Sequence, residues 1–61
     1  MKVYKMETYY RLEEFSRDFS FYNVILEQTN LEEARRMKKF LTEKNLDYRY
    51  CIIEVTEQEI E

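Results

Sequence analysis

Few side chains in this sequence are of the kinds that carry out catalysis. The 61 residues include no histidine and one cysteine, Cys51, so acid-base chemistry would fall to carboxylates, tyrosine or lysine. The adjacent pairs Glu13–Glu14 and Glu32–Glu33 do not suit that role, because neighbouring residues on a helix do not face each other. Cys51 has no candidate base nearby in sequence, and we expect it to be a small buried core residue. The sequence therefore predicts no catalytic residue and a protein that is not an enzyme.

The sequence also lacks residues that cofactor and metal sites require. It contains neither glycine nor proline. Phosphate-binding loops, dinucleotide-binding turns and nucleophile elbows all need glycine for close backbone approach or a positive φ. A structural zinc site would need several cysteine or histidine ligands. We therefore predict no cofactor and no metal site.

Length, charge and hydropathy predict a small soluble protein in the cytoplasm. No stretch approaches the ~20 apolar residues of a membrane span or resembles a signal peptide, and a lone thiol fits a reducing compartment. The net charge is −3, from 13 acids and 10 bases, so attraction to nucleic acid or an anionic membrane is not expected. The acid-rich end predicts a frayed, solvated C-terminus over 57–61. So short a chain predicts one domain, with any extra stability supplied by assembly.

The clearest local pattern is an amphipathic helix over about 31–44. Thr29 or Asn30 can cap its start. Asn45 is expected to take the left-handed position after its end, which would bring Leu46 into contact with Leu41. The apolar residues recur at spacings of three and four, which places them on one helix face: Leu31, Ala34, Met37, Phe40 and Leu41.

The remaining pattern predicts three strands, at about 2–12, 19–28 and 47–56. A turn at Ser16–Asp18 joins the first two, although a single helical turn over 12–15 is an alternative. The element order is therefore β-β-α-β, and the fold class is α+β: a three-stranded, mostly antiparallel sheet with one amphipathic helix packed on one face. We favour the middle position for the first strand, because both of its neighbours then pair with it antiparallel.

One helix cannot cover both faces of such a sheet, although two of the strands are apolar on both sides. Exposed apolar surface rich in tyrosine and arginine is typical of protein interfaces. The alternatives for the uncovered face are a homodimer, a different partner protein, or cover by the N-terminal segment. The partner-binding or dimer-interface residues expected there are Tyr9, Tyr22, Tyr48, Arg49, Tyr50 and Ile52.

Two further surfaces have functional interpretations. The basic residues of the helix form a possible secondary docking patch for an acidic partner: Arg35, Arg36, Lys38 and Lys39. Sheet aromatics could instead stack the bases of single-stranded nucleic acid, although the acidic balance disfavours this, and the excess of carboxylates suits an acidic DNA mimic that acts as an inhibitor.

In length and composition the chain resembles the very short, charged, Tyr-rich accessory proteins of bacteriophages and mobile elements. That resemblance implies a protein that binds and modulates a host protein, for example by inhibiting it. We therefore expect a non-catalytic protein-protein interaction module that also forms a homodimer through its Tyr-rich sheet face.

Overall fold

The computed structural model describes residues 5–59 of the chain, as one open sheet and one helix. The elements are β1 (Lys5–Ser16), β2 (Tyr22–Thr29), α1 (Leu31–Lys44) and β3 (Tyr48–Glu59). All strand pairs are antiparallel, and the order across the sheet is β2-β1-β3. This α+β fold confirms the predicted element order and the middle position of the first strand.

Strands β1 and β3 pair along their whole length without a bulge. The register runs from Lys5 opposite Glu59 to Ser16 opposite Tyr48. The prediction of a frayed C-terminus is therefore wrong for residues 57–59, because these residues complete the ladder with the start of β1. Residues 60 and 61 lie outside the described residues, as does the predicted strand start at 2–4.

Strand β2 is shorter and pairs only with Tyr10–Phe15, with register shifts on either side of Leu12. Beyond it, within the described residues, Lys5–Tyr9 and Val55–Glu59 form a ribbon of two strands. The molecule is consequently flat and long, with principal extents of 51 × 24 × 11 Å and a radius of gyration of 14.6 Å. A compact domain of this length would have a radius of gyration of about 10.5 Å.

The core lies between the helix and the middle of the sheet. Leu12 and Ala34 have no exposed surface, and Tyr50 is 6% exposed. The even-numbered side of β1 faces the helix, as the alternation of polar and apolar residues predicts. These are the buried apolar residues of the described chain, so the fold rests on a very small core.

The start of α1 resolves the two capping alternatives in favour of Asn30. Its Oδ1 accepts a 2.7 Å hydrogen bond from the backbone N–H of Glu33, which satisfies one of the free donors at a helix start. Phe40 belongs to the predicted apolar face of the helix but is not buried. It is 55% exposed, at the margin of the apolar face, and Nζ of Lys44 lies 5.3 Å from its ring centroid.

The end of α1 differs from the predicted left-handed cap. Asn45 has φ −122° and ψ 88°, and its N–H donates to the carbonyl oxygen of Leu41 at 2.8 Å. Leu46 is 71% exposed, so its expected contact with Leu41 is wrong. Its carbonyl oxygen instead accepts hydrogen bonds from Nε and Nη2 of Arg17, at 2.9 and 2.6 Å. The loop after the helix is thereby tied to the β1–β2 loop.

Residues 17–21 connect β1 to β2 around the carboxylate of Asp18. This group accepts hydrogen bonds from the Ser16 hydroxyl at 2.7 Å and from the N–H and hydroxyl of Ser20 at 3.1 and 2.7 Å. Phe19 has φ 60°, a strained value for a residue with a Cβ. The loop is longer than the predicted Ser16–Asp18 turn, and the alternative of a helical turn over 12–15 is wrong because those residues belong to β1.

Candidate functional site

The sheet has one face that α1 does not cover. Because directly opposed residues of an antiparallel pair point to the same side, the register assigns this face to the odd-numbered residues of β1 and β3, together with Tyr22 and Val24 of β2. We call it the uncovered face. From Glu7 to the loops, its residues are Glu7, Tyr9, Arg11, Glu13, Phe15, Tyr22, Val24, Arg49, Cys51, Ile53, Val55, Glu57 and Glu59.

Of the six predicted interface residues, Tyr9, Tyr22 and Arg49 lie on the uncovered face. The expectation that Tyr50 and Ile52 lie there is wrong. Tyr50 is buried under the helix end, where its hydroxyl accepts a hydrogen bond from Nδ2 of Asn45 at 3.2 Å. The even-numbered side of β3 packs under the helix because it pairs with the even-numbered side of β1.

Tyr48 also belongs to the even-numbered side, opposite Ser16 at the end of the ladder. Its ring lies edge-on to that of Phe21, with centroids 5.9 Å apart. Tyr48 is therefore partly exposed beside the loops, and its predicted position on the uncovered face is wrong as well.

Cys51 lies on the uncovered face, opposite Glu13. It is half-buried, so the expectation that it is a buried core residue is wrong. With Ile53 and Val55, also half-buried, it forms a row along β3 that we call the apolar stripe. The stripe therefore follows the outermost strand of the sheet on the side that no helix covers.

A polar network fixes the part of the uncovered face contributed by β1 and β2. Glu13 is only 7% exposed, and its Oε2 accepts hydrogen bonds from Nε of Arg11 at 2.7 Å and from the Tyr22 hydroxyl at 2.9 Å. The hydrogen bond to the Glu13 carboxylate raises the pKa of Tyr22. A buried carboxylate needs such partners, so the central charge of this face is satisfied within the chain.

A second tyrosine-carboxylate pair lies further along the same face. The Tyr9 hydroxyl donates to Oε1 of Glu57 at 2.8 Å, and this hydrogen bond raises the pKa of Tyr9. Toward the loops, the Phe15 ring lies 5.1 Å from the Tyr22 ring and 6.2 Å from the Phe19 ring, between centroids. The aromatic side chains of the face are therefore held by contacts within the chain.

No protein-family model, curated protein or solved structure matches this chain. Within residues 5–59, no three or more histidine, cysteine or carboxylate side chains are grouped so that they could hold a metal ion. The helix in this part of the chain is too short and too polar to cross a membrane.

The basic patch predicted on the helix is divided between two sides of α1. Arg36 lies beside Met37 and Phe40, with Nη2 3.4 Å from a carboxylate oxygen of Glu33. The other three basic residues line a groove between the helix and β3. Ile52 forms the sheet side of this groove, and its walls are formed by Arg35, Lys38, Lys39, Thr42 and Glu43. We call this the basic groove. Its position beside β3 could not be read from helix periodicity alone.

Proposed function

We propose that this protein is a non-catalytic protein-protein interaction module that binds another protein through its uncovered face. The observation that carries the proposal is the apolar stripe, which lies on the sheet face opposite the helix and remains partly exposed. A contiguous apolar surface on a small protein is typical of an interaction site. Binding would remove this stripe from water and supplement a core that contains only three buried apolar residues.

The dimensions of the face suit a protein partner. The molecule extends over 51 × 24 Å in its two longer directions, which leaves room for the ~800 Å² that each side contributes to an interface of ordinary size. The charge of Glu13 is already paired with Arg11, so the partner need not supply a charge at that point. The matching surface is therefore apolar opposite the stripe and polar around Tyr9 and Tyr22.

The resemblance to phage-type accessory proteins supports a host protein as the partner and its modulation, for example inhibition, as the outcome. A cytoplasmic location is part of the same proposal. Single-stranded nucleic acid is less well supported, because Glu13 and Glu57 hold the tyrosines of the face and would repel phosphates. An acidic DNA mimic has no support beyond the overall charge.

A matched pair of substitutions on β2 tests the proposal. Val24 lies on the uncovered face, and the adjacent, exposed Asn23 lies on the opposite one. Val24→Lys is expected to weaken binding about tenfold or more by placing a charge in the interface, whereas Asn23→Lys is expected to retain it. The partner is first captured from the native host with the wild-type chain and identified by mass spectrometry, and the affinity of each variant is then titrated.

Circular dichroism establishes that both variants fold. A dimer that light scattering detects for the wild type and Asn23→Lys but not for Val24→Lys would show that the face binds a second copy instead. Full binding by Val24→Lys, or equal loss with Asn23→Lys, would place the interface elsewhere. Binding of a fluorescent oligonucleotide at low salt, lost on Val24→Lys, would favour the nucleic-acid alternative.

A further inference from the structure

The outer edge of β3 offers a second kind of contact. β3 is twelve residues long and lies at one side of the sheet, and within residues 5–59 its only strand neighbour is β1. Its pairing with β1 is regular throughout, so no bulge bends this edge. Natural proteins usually protect such an edge with bulges, proline, very short strands or charged side chains, and of these devices β3 has only the charged side chains.

Alternate residues of β3 have a self-complementary order on the uncovered face. From Arg49 to Glu57 they run from a cation, through the three residues of the apolar stripe, to an anion. If a second β3 lies antiparallel with Ile53 opposite Ile53, Arg49 of each copy lies opposite Glu57 of the other. Cys51 then lies opposite Val55. Opposite charges and apolar pairs in directly opposed positions stabilise antiparallel strands.

The same register is complementary on the helix side. It places Glu54 of the second copy opposite Ile52, which forms the sheet side of the basic groove. Directly opposed side chains lie within about 5 Å of each other, so this carboxylate would reach the ammonium and guanidinium groups that line the groove. The contact occurs twice by symmetry, and it gives the basic residues on this side of the helix a specific acidic partner.

Neighbouring symmetric registers lack this match. A two-fold axis at Glu54 would place two carboxylates directly opposite each other. An axis at Ile52 would place Arg49 opposite Val55, so that neither copy of Arg49 would have an opposed carboxylate. Like charges in directly opposed positions destabilise a strand pair. Of these three axes, the one at Ile53 pairs Arg49 with Glu57 and opposes no two carboxylates within β3, so the charge pattern favours it.

We propose that two copies of this chain join through their β3 edges, antiparallel and with Ile53 on the two-fold axis, to form a six-stranded sheet. The order across this sheet is β2-β1-β3-β3-β1-β2. Such an axis is perpendicular to the sheet, so both helices lie on one side and both uncovered faces on the other. The two apolar stripes become neighbours at the centre, and the face proposed to bind a partner protein remains open and doubles in width.

The chain's own contacts are compatible with these pairs. Oε1 of Glu57 accepts from Tyr9, but a carboxylate can accept several hydrogen bonds. The guanidinium of Arg49 lies 5.8 Å from the centroid of the Phe19 ring, and it keeps donors in its plane for a carboxylate.

Charge reversal tests the register. Arg49→Glu and Glu57→Arg should each weaken dimerisation about tenfold or more, and the double variant should restore it, measured by sedimentation across a concentration series. Glu32→Arg, on an exposed helix position, is the control for net charge and should leave dimerisation unchanged. A wild-type mass equal to the 7.7 kDa of one chain at every concentration would overturn the proposal. So would a double variant that dimerises as weakly as the single ones.

Cysteine pairs provide an independent measure of the register. In a Cys51→Ser background, Ile53→Cys should form a disulfide between two copies on mild oxidation, because opposed Cβ atoms are within reach of one. Val55→Cys in the same background should not form one. Val55→Cys with the native Cys51 should form two disulfides, each between Cys51 of one copy and the new cysteine at position 55 of the other. Equal cross-linking of all three variants, or none at Ile53→Cys, would exclude an axis at Ile53.

These results are separable from those for the proposed function. Val24 lies on β2, two strands away from the proposed axis. Loss of partner binding by Val24→Lys with dimerisation intact would support both assignments. Failure of the charge reversals with Val24→Lys still defective would overturn the edge dimer alone.

Discussion

The Tyr50 hydroxyl donates a 2.6 Å hydrogen bond to Oε2 of Glu14 and accepts one from Asn45 at 3.2 Å. One oxygen atom therefore joins β3, the central strand and the end of the helix. Burial, followed by the hydrogen bond to Glu14, raises the pKa of Tyr50. In a fold with so small a core, this polar junction is one of the contacts that link the three elements.

Tyr50→Phe is expected to lower the free energy of unfolding by about 1–3 kcal/mol, because Glu14 and Asn45 lose a partner in a partly buried position. Urea denaturation measures the change. Tyr48→Phe is the matched control, since the Tyr48 ring packs on Phe21 at the exposed end of the same strand, and it should change stability by less than about 0.5 kcal/mol. Equal effects would mean that the Tyr50 hydroxyl contributes nothing specific.

Glu13 and Tyr22 are expected to be energetically coupled. Glu13→Ala should cost about 1–3 kcal/mol, because Arg11 and Tyr22 both lose a charged acceptor, and Tyr22→Phe should cost about 1 kcal/mol. The double variant should then be less destabilised than the sum of the two, by about 0.5 kcal/mol or more. A double-mutant cycle from chemical denaturation measures this, and strict additivity would contradict the hydrogen bond.

Asp18 is expected to make folding sensitive to acid. Hydrogen bonds from Ser16 and then Ser20 lower the pKa of Asp18 from 3.8 to about 2. Because the folded state favours the ionised form, the carboxylate stabilises the fold above pH 3.8, and this contribution is lost as the pH falls through about 2. Asp18→Asn should therefore differ most from wild type above pH 4, and the difference in thermal midpoint should shrink toward pH 2.

A carboxyl titration by NMR checks the cause of this shift. Ser20→Ala removes the hydroxyl donor and should raise the pKa of Asp18 toward 3.8. A pKa that does not change would show that the Ser20 hydroxyl is not responsible.

Asn30→Ala is expected to cost about 1 kcal/mol of stability, because the N–H of Glu33 loses its capping acceptor. Thr29→Ala is the comparison, because Thr29 is the alternative cap by sequence but belongs to β2, where it pairs with Tyr10 of β1. Thermal unfolding followed by circular dichroism at the helix minimum distinguishes them. A larger loss for Thr29→Ala would reverse the capping assignment.

Local sequence patterns were sufficient to predict most of the fold. The bounds of α1, its cap and the polar-apolar alternation of β1 all depend on residues within one or two turns or pleats of each other. Phe40 shows the limit of such patterns, because helical spacing alone does not show whether a residue lies at the centre or at the margin of the buried helix face. Asn45 shows a second limit. Its predicted left-handed conformation is not formed, and Arg17, 29 positions from Leu46, donates hydrogen bonds to the Leu46 carbonyl oxygen in the loop that follows.

The candidate site was harder to predict, because β2 and α1 separate β3 from its partner β1 in the sequence. No hairpin turn therefore sets the register between β1 and β3. No local feature then decides whether its odd or even residues face the helix, and both sets are apolar. The choice between Cys51 and Tyr50 as the core residue follows from the register alone, which a shift by one residue reverses. Pairs such as Tyr9 with Glu57, 48 positions apart, become apparent only once that register is known.

The order of the strands also sets the order in which the chain can fold. The central strand β1 comes first in the sequence, and the neighbour that pairs along its whole length, β3, comes last among the described elements. During synthesis, the β1–β2 hairpin and the helix can form early, but Leu12 has no complete covering until β3 arrives. Such long-range pairing slows folding, so the nascent hairpin would expose its apolar surface until β3 has been synthesised and can pair with β1.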